Sequence, residues 1–70
     1  MFKRRHPARG SQSLINLDDG RAISGVITDE SGEHLIVNSA KLFEPETPQG
    51  TELEGTVIVP VAKVSWIEVK

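Results

Sequence analysis

Seventy residues make one domain at most, and a chain this short buries too little of its surface to be more than marginally stable alone. With no cysteine, disulfides and thiolate metal sites are excluded, and the two histidines, His6 and His34, lack ligand-like neighbours at zinc spacing. The net charge of −2 is unevenly spread: Lys3, Arg4, Arg5 and Arg9 stand in the first ten residues with no acid among them, while the rest holds all ten acids against four bases.

In chain order, residues 1–12 contain Pro7, Gly10 and polar side chains with no helical periodicity, and read as a flexible basic arm. The arm begins like the charged start of a secretion signal. No apolar segment follows it, and no run is long enough to span a membrane, so neither export by that route nor a membrane partner is expected. Absence of cysteine fits a chain made in the cytoplasm.

Residues 13–70 read as short β-branched and aliphatic runs punctuated by turns. Residues 13–17 form the first run, which ends at Asp18-Asp19-Gly20, a strong hairpin signal. Residues 22–28 form the second, with Ile23, Gly25 and Ile27 on one face and Ser24 and Val26 on the other. A turn at residues 29–33 leads into the third run, residues 34–43, which is long for a flat strand. Asn38-Ser39-Ala40 is the place expected for its bend. Residues 44–54, with two prolines and a glycine, read as a long polar loop. The fourth run covers residues 56–59. After Pro60 the link to the fifth, residues 63–69, is so short that a single 3₁₀ turn is expected. Five short strands with tight turns and no helix predict an all-β domain closed into a small barrel.

The glycines have distinct work in this reading. Gly20 supplies a positive φ in the hairpin, and Gly25 lets the sheet bend where a side chain would collide. The segments 17–27 and 35–40, followed by the closing unit 57–69, resemble the two motifs of the Sm-like family of SH3-type barrels, and the resemblance covers residues 14–69. It implies a five-stranded Sm-like barrel that works by assembly and not by catalysis. RNA-binding members carry an Asp-x-x-x-Asn type signature before the third strand and often Arg-Gly in the second motif. Here those places read Asp29-Glu30-Ser31-Gly32-Glu33-His34 and Pro60-Val61, without the asparagine, the arginine or the second-motif glycine. The family's N-terminal helix is also replaced by the basic arm. A looser resemblance, of the sequence as a whole, is to small proteins encoded among the virion genes of tailed phages of actinobacteria.

No residue pattern meets the requirements of an active site, a phosphate loop or a calcium loop. Asp29, Glu30 and Glu33 read as a solvated turn, Asp18-Asp19 as a turn, and His34 as a structural or solvent-facing side chain. No cofactor is expected. Trp66 is expected on the face of Val64 and Glu68, opposite Ile67 and Val69, closing the barrel or a subunit contact. Strand edges are where the expected function lies: in the Sm-like family they pair between subunits, and a head-to-tail pairing closes a ring. Val57, Val59, Val64 and Trp66 are the expected contact residues. Phe2, Lys3, Arg4, Arg5 and Arg9 are expected to touch a neighbouring protein or, less favoured, nucleic acid phosphates. The sequence thus reads as an oligomeric structural module, in a ring or lattice, of a tailed-phage virion such as its capsid or head-tail region. The alternatives are an Sm-like RNA- or DNA-binding ring and an SH3-type peptide adaptor, for which Phe43 and Trp66 are few aromatics.

Overall fold

The computed structural model describes residues 10–70. The expected arm contacts at Phe2, Lys3, Arg4, Arg5 and Arg9 lie outside these residues. Six strands follow one another: β1 (Gln12–Leu17), β2 (Ala22–Glu30), β3 (His34–Glu44), β4 (Thr47–Glu52), β5 (Val57–Pro60) and β6 (Val64–Val69). A 3₁₀ turn, Val61–Lys63, joins the last two, at the place the sequence predicts.

All ladders are antiparallel. The order is β4-β3-β2-β1-β6, with β5 also on β3. The polar stretch read as a loop is instead largely strand. Lys41 faces Glu52 and Glu44 faces Thr47, while His34 faces Pro60 and Val37 faces Val57. So β4 and β5 lie in series along the same side of β3, as one fourth strand interrupted at residues 53–56. The interruption sits where β3 itself bends. Ser39 has φ +55, and Leu53 N–H donates to Ala40 O at 2.9 Å across the gap. The sequence hid β4 because its strand residues, Thr47-Pro48-Gln49-Gly50-Thr51-Glu52, have no apolar alternation; β4 is held by its ladder to β3 more than by core burial.

The bend is built from small residues. β2 and β3 slip in register between Ser24 and Val26, where one extra residue of β3 is accommodated. A Cβ on Gly25 would sit 2.6 Å from Val37 Cγ1, 2.9 Å from Asn38 O and 3.3 Å from Ala40 Cα. Facing Gly25 on β1 is Ser13, fully buried, its hydroxyl donating to Ser11 O at 3.2 Å. The sheet therefore folds over on itself where Ser13, Gly25 and Ala40 leave room for two backbones to approach.

The inner face of the curled sheet carries Ile15, Ile23, Ile27, Leu35, Val37, Ala40 and Val59, with Leu17, Leu42, Leu53, Val57, Val64 and Ile67 packed around them. Alternation in β2 places Ile23, Gly25 and Ile27 inward, as the sequence predicts. Burying each large aliphatic side chain contributes about 1.5–3 kcal/mol against the chain entropy lost.

Two turns fix the ends. Asp18-Asp19-Gly20 closes the first hairpin as a three-residue loop. Gly20 has φ +93, and Leu17 N–H donates to Arg21 O at 2.9 Å. Asp18 N–H donates to Lys63 O at 2.8 Å, tying this hairpin to the 3₁₀ turn. At the other end the Ser31 hydroxyl accepts from the main chains of Glu33 and His34.

Candidate functional site

Among the described residues no ladder joins β5 to β6, so there the sheet ends in two free edges on either side of the 3₁₀ turn. Their main-chain groups can be assigned from the hydrogen bonds beside them. Val61 N–H donates to Glu33 O at 2.8 Å. Antiparallel pairs alternate between exchanging their hydrogen bonds and turning them away. Continuing from Glu33 and Val61, the pairs Leu35–Val59 and Val37–Val57 exchange, and Ile58 and Pro60 turn outward. Pro60 has no N–H, so this edge offers one donor and two acceptors over three residues. On the other edge, Lys70 N–H donates to Gln12 O at 2.9 Å. By the same alternation Glu68 and Trp66 bond to β1, and Ile67 and Val69 turn outward.

The apolar side chains exposed on the described residues gather here. Ile58 is 61% exposed, Trp66 56% and Val69 46%, with Val61 in the 3₁₀ turn close behind. Of the residues the sequence singled out, Trp66 lies on this surface. Val59 is 3% exposed and belongs to the chain's own core, so its side chain faces away from any neighbour. Val57 and Val64 are half-buried against that core. Ile58 was passed over because β5 alternates in the opposite phase to the one assumed.

The sequence also placed Trp66 on the face of Val64, and the structure corrects this. Asn16 faces Trp66 while the next β1 residue, Leu17, faces Val64, so Ser65 is bulged out. The bulge brings Val64 and Ile67 together on the core side and leaves Trp66 with Glu68 outside. Across the ladder from Trp66, the side-chain nitrogen of Asn16 is buried without a hydrogen-bond partner among the described residues.

Polar side chains on the described residues are spread out. No group of three His, Asp or Glu residues there is placed to hold a metal ion, and no helix there is long and apolar enough to cross a membrane. Asp29 and Glu30, read from the sequence as turn, are the last residues of β2, paired with Ile36 and Leu35, and only Glu33 of the three lies in the turn; the Asp29 carboxylate accepts from Glu30 N–H at 2.8 Å. His34 is exposed at the start of β3. At the first hairpin Arg21 and Asp19 form an ion pair at 2.8 Å. Hydrogen bonds from the Arg21 side chain and main chain hold the Asp19 carboxyl below its ordinary range, and the same contact raises Arg21.

Shallow cavities accompany the strands. One of about 430 Å³ is walled by Leu35, Val61, Val64, Trp66 and Ile67, with Glu30, Ser31 and Gly32 on its rim. A second, of about 400 Å³, opens at the other end beside Asp19 and Arg21. Another, of about 310 Å³, lies at the β3 bend by Ser39 and Lys41.

Among solved structures, the chain is similar to a heptameric archaeal Sm protein. The two superpose with a TM-score of 0.76 over 90% of each chain, at 22% sequence identity. The fold is Sm-like. No protein-family model matches the sequence, and no curated protein does. At this identity the likeness concerns the backbone. The turn between β2 and β3 carries Ser31 and Gly32 in this chain, with no asparagine in it.

Proposed function

We propose that the chain is a non-enzymatic subunit of a ring, in which the free edge of β5 in one copy pairs with the free edge of β6 in the next. The observation that carries this is the pair of unpaired edges, flanked by exposed Ile58, Trp66 and Val69, on an Sm-like fold. Each edge is short and complementary to the other, and the contact is head-to-tail, so repeated rotation closes it. The fold match supports the reading, because the similar archaeal protein is described as a heptamer. Val57, Val64 and Trp66 would border the contact, Val59 would stay turned toward its own β3, and Ile58 and Val69 would be covered by it.

Light scattering coupled to size-exclusion chromatography tests this. The unaltered chain is expected to run as a defined oligomer. Ile58→Lys adds a charge to the edge, and Val69→Pro removes an outward N–H. Both are expected to run as monomers with an unchanged far-UV circular dichroism spectrum. A monomer for the unaltered chain at its highest soluble concentration would sink the ring.

The finer reading keeps this ring in the particle of a tailed phage, among other virion proteins. It rests on the character of the sequence, and mass spectrometry of purified particles tests it. Nucleic-acid binding by a circle of basic arms is the second reading, favoured by Lys3, Arg4, Arg5 and Arg9 standing together ahead of an acidic body. Gathering several arms in one ring would raise a weak, salt-sensitive affinity. A gel-shift series over increasing salt decides it: no shift at low salt removes nucleic acid as a partner.

A further inference from the structure

The cavity beside Trp66 combines an apolar wall with an acidic rim. Leu35, Val61, Val64, Trp66 and Ile67 line it, together with Glu30 at the end of β2; Asp29 precedes Glu30 in the strand and Glu33 lies in the turn that follows. Its volume, about 430 Å³, falls within the roughly 300–1,000 Å³ of small-ligand pockets. A groove of this kind suits a segment that is basic with one large apolar side chain.

The chain carries such a segment. Residues 1–9 hold Phe2 together with Lys3, Arg4, Arg5 and Arg9 and no acid. The described chain begins three strand residues from the cavity's lining: Gly10 N–H donates to Ile27 O, and β2 continues from Ile27 to Glu30. Three strand residues cover about 10 Å. The eight residues from Gly10 back to Phe2 can span about 26 Å when extended. Reach therefore allows Phe2 to enter the cavity of its own chain.

We propose that the N-terminal arm docks on its own barrel, with Phe2 inserted against Trp66, Val61 and Leu35 and the arginines set against the acidic end of β2 and the turn that follows. The energy would come mainly from the aromatic ring, since a buried aromatic is the usual anchor of such contacts and exposed ion pairs add little. The charges would choose the groove: the cavity beside Asp19 and Arg21 has a base at its mouth, and this one does not. The inference does not rest on the ring, because both groove and arm belong to one chain.

Trp66, the single tryptophan, forms part of the wall and reports on the cavity directly. The measurement is its emission maximum and its quenching by acrylamide, in the full chain and in three full-length variants. Phe2→Ala is expected to shift the emission to the red and to raise the quenching constant. Arg4→Glu with Arg5→Glu, and separately Glu30→Lys, are expected to do the same in part. Sodium chloride at about 1 M, where the Debye length falls to about 3 Å, should move the unaltered chain toward the charge variants but not as far as Phe2→Ala. Circular dichroism checks that each variant is folded. Identical Trp66 quenching in the unaltered chain and in folded Phe2→Ala would overturn the proposal. Light scattering on the same samples reads the ring separately, so docking can fail while the ring stands, or the reverse.

Discussion

At Gly25 a single hydrogen atom decides whether the sheet can fold over. An alanine there would press its Cβ to 2.6 Å from Val37 Cγ1 and 2.9 Å from Asn38 O. Val37 is fully buried and Asn38 O is main chain, so neither neighbour moves freely. Gly25→Ala is expected to destabilise the chain by about 1–3 kcal/mol, as overpacking does. Gly20 offers the contrast. Nothing lies within 4 Å of its missing Cβ, and the cost of Gly20→Ala is the left-handed backbone alone, about 1–2 kcal/mol. Chemical denaturation of both variants separates collision from conformation: a valine should be much worse than alanine at position 25, where the space is closed on three sides. The Asp19–Arg21 pair belongs to the same scale. Asp19 is held below its ordinary range by Arg21, so its stabilisation is present at neutral pH and lost as pH falls through the lowered value. Both groups are solvated, so the contribution is small. Asp19→Asn is expected to leave the melting temperature nearly unchanged at pH 7, with the difference vanishing in strong acid; a large drop at pH 7 would mean the hairpin loop depends on this pair.

At the scale of elements, the bent third strand carries most of the architecture. It holds β2 on one side and both β4 and β5 on the other. Its bend needs a residue at φ +55, and that residue is Ser39. Left-handed backbone costs a serine about 1–2 kcal/mol, while glycine adds unfolded-state freedom worth about 0.4–1 kcal/mol. Ser39→Gly is therefore expected to be neutral or slightly stabilising, and Ser39→Val clearly destabilising, in the same denaturation assay. If Ser39→Gly proves the more damaging, the hydroxyl matters and the bend is not set by backbone strain. Much of this element level could be read from the sequence, because the aliphatic runs of β1, β2, β3 and β6 alternate or cluster against turns of glycine and aspartate. Two features could not. The fourth strand's first half has no apolar pattern, since the ladder with β3 and not a buried face holds it. The Ser65 bulge leaves no mark either, because an inserted residue changes the phase of alternation without changing composition. That one residue moved Val64 to the core and left Trp66 outside. The candidate edges were thus legible as an idea, from Pro60 and the short last strands, while the side chains that flank them were only half right.

At the scale of the whole molecule, the missing ladder between β5 and β6 sets how the protein should behave on dilution. The core is aliphatic, with no aromatic ring, disulfide or metal group among the described residues. A domain of this size is near the margin of stability, and exposed Ile58, Trp66 and Val69 add to that cost in an isolated copy. If neighbouring edges pair, folding and association are linked by mass action, and the midpoint of thermal unfolding must rise with protein concentration. A hundredfold excess over the dissociation constant corresponds to about 2.7 kcal/mol for one site, a large share of what a small domain has. Thermal unfolding followed by circular dichroism over a wide concentration range is therefore expected to show a rising midpoint for the unaltered chain and a flat, lower one for Ile58→Lys. Ile58 is 61% exposed, so its replacement cannot lower the midpoint through lost core packing in a monomer. A fall seen only where the unaltered chain is oligomeric would come from the lost partner. A midpoint independent of concentration in both chains would mean that each copy stands on its own aliphatic core, and that the two open edges are solvated in the working protein.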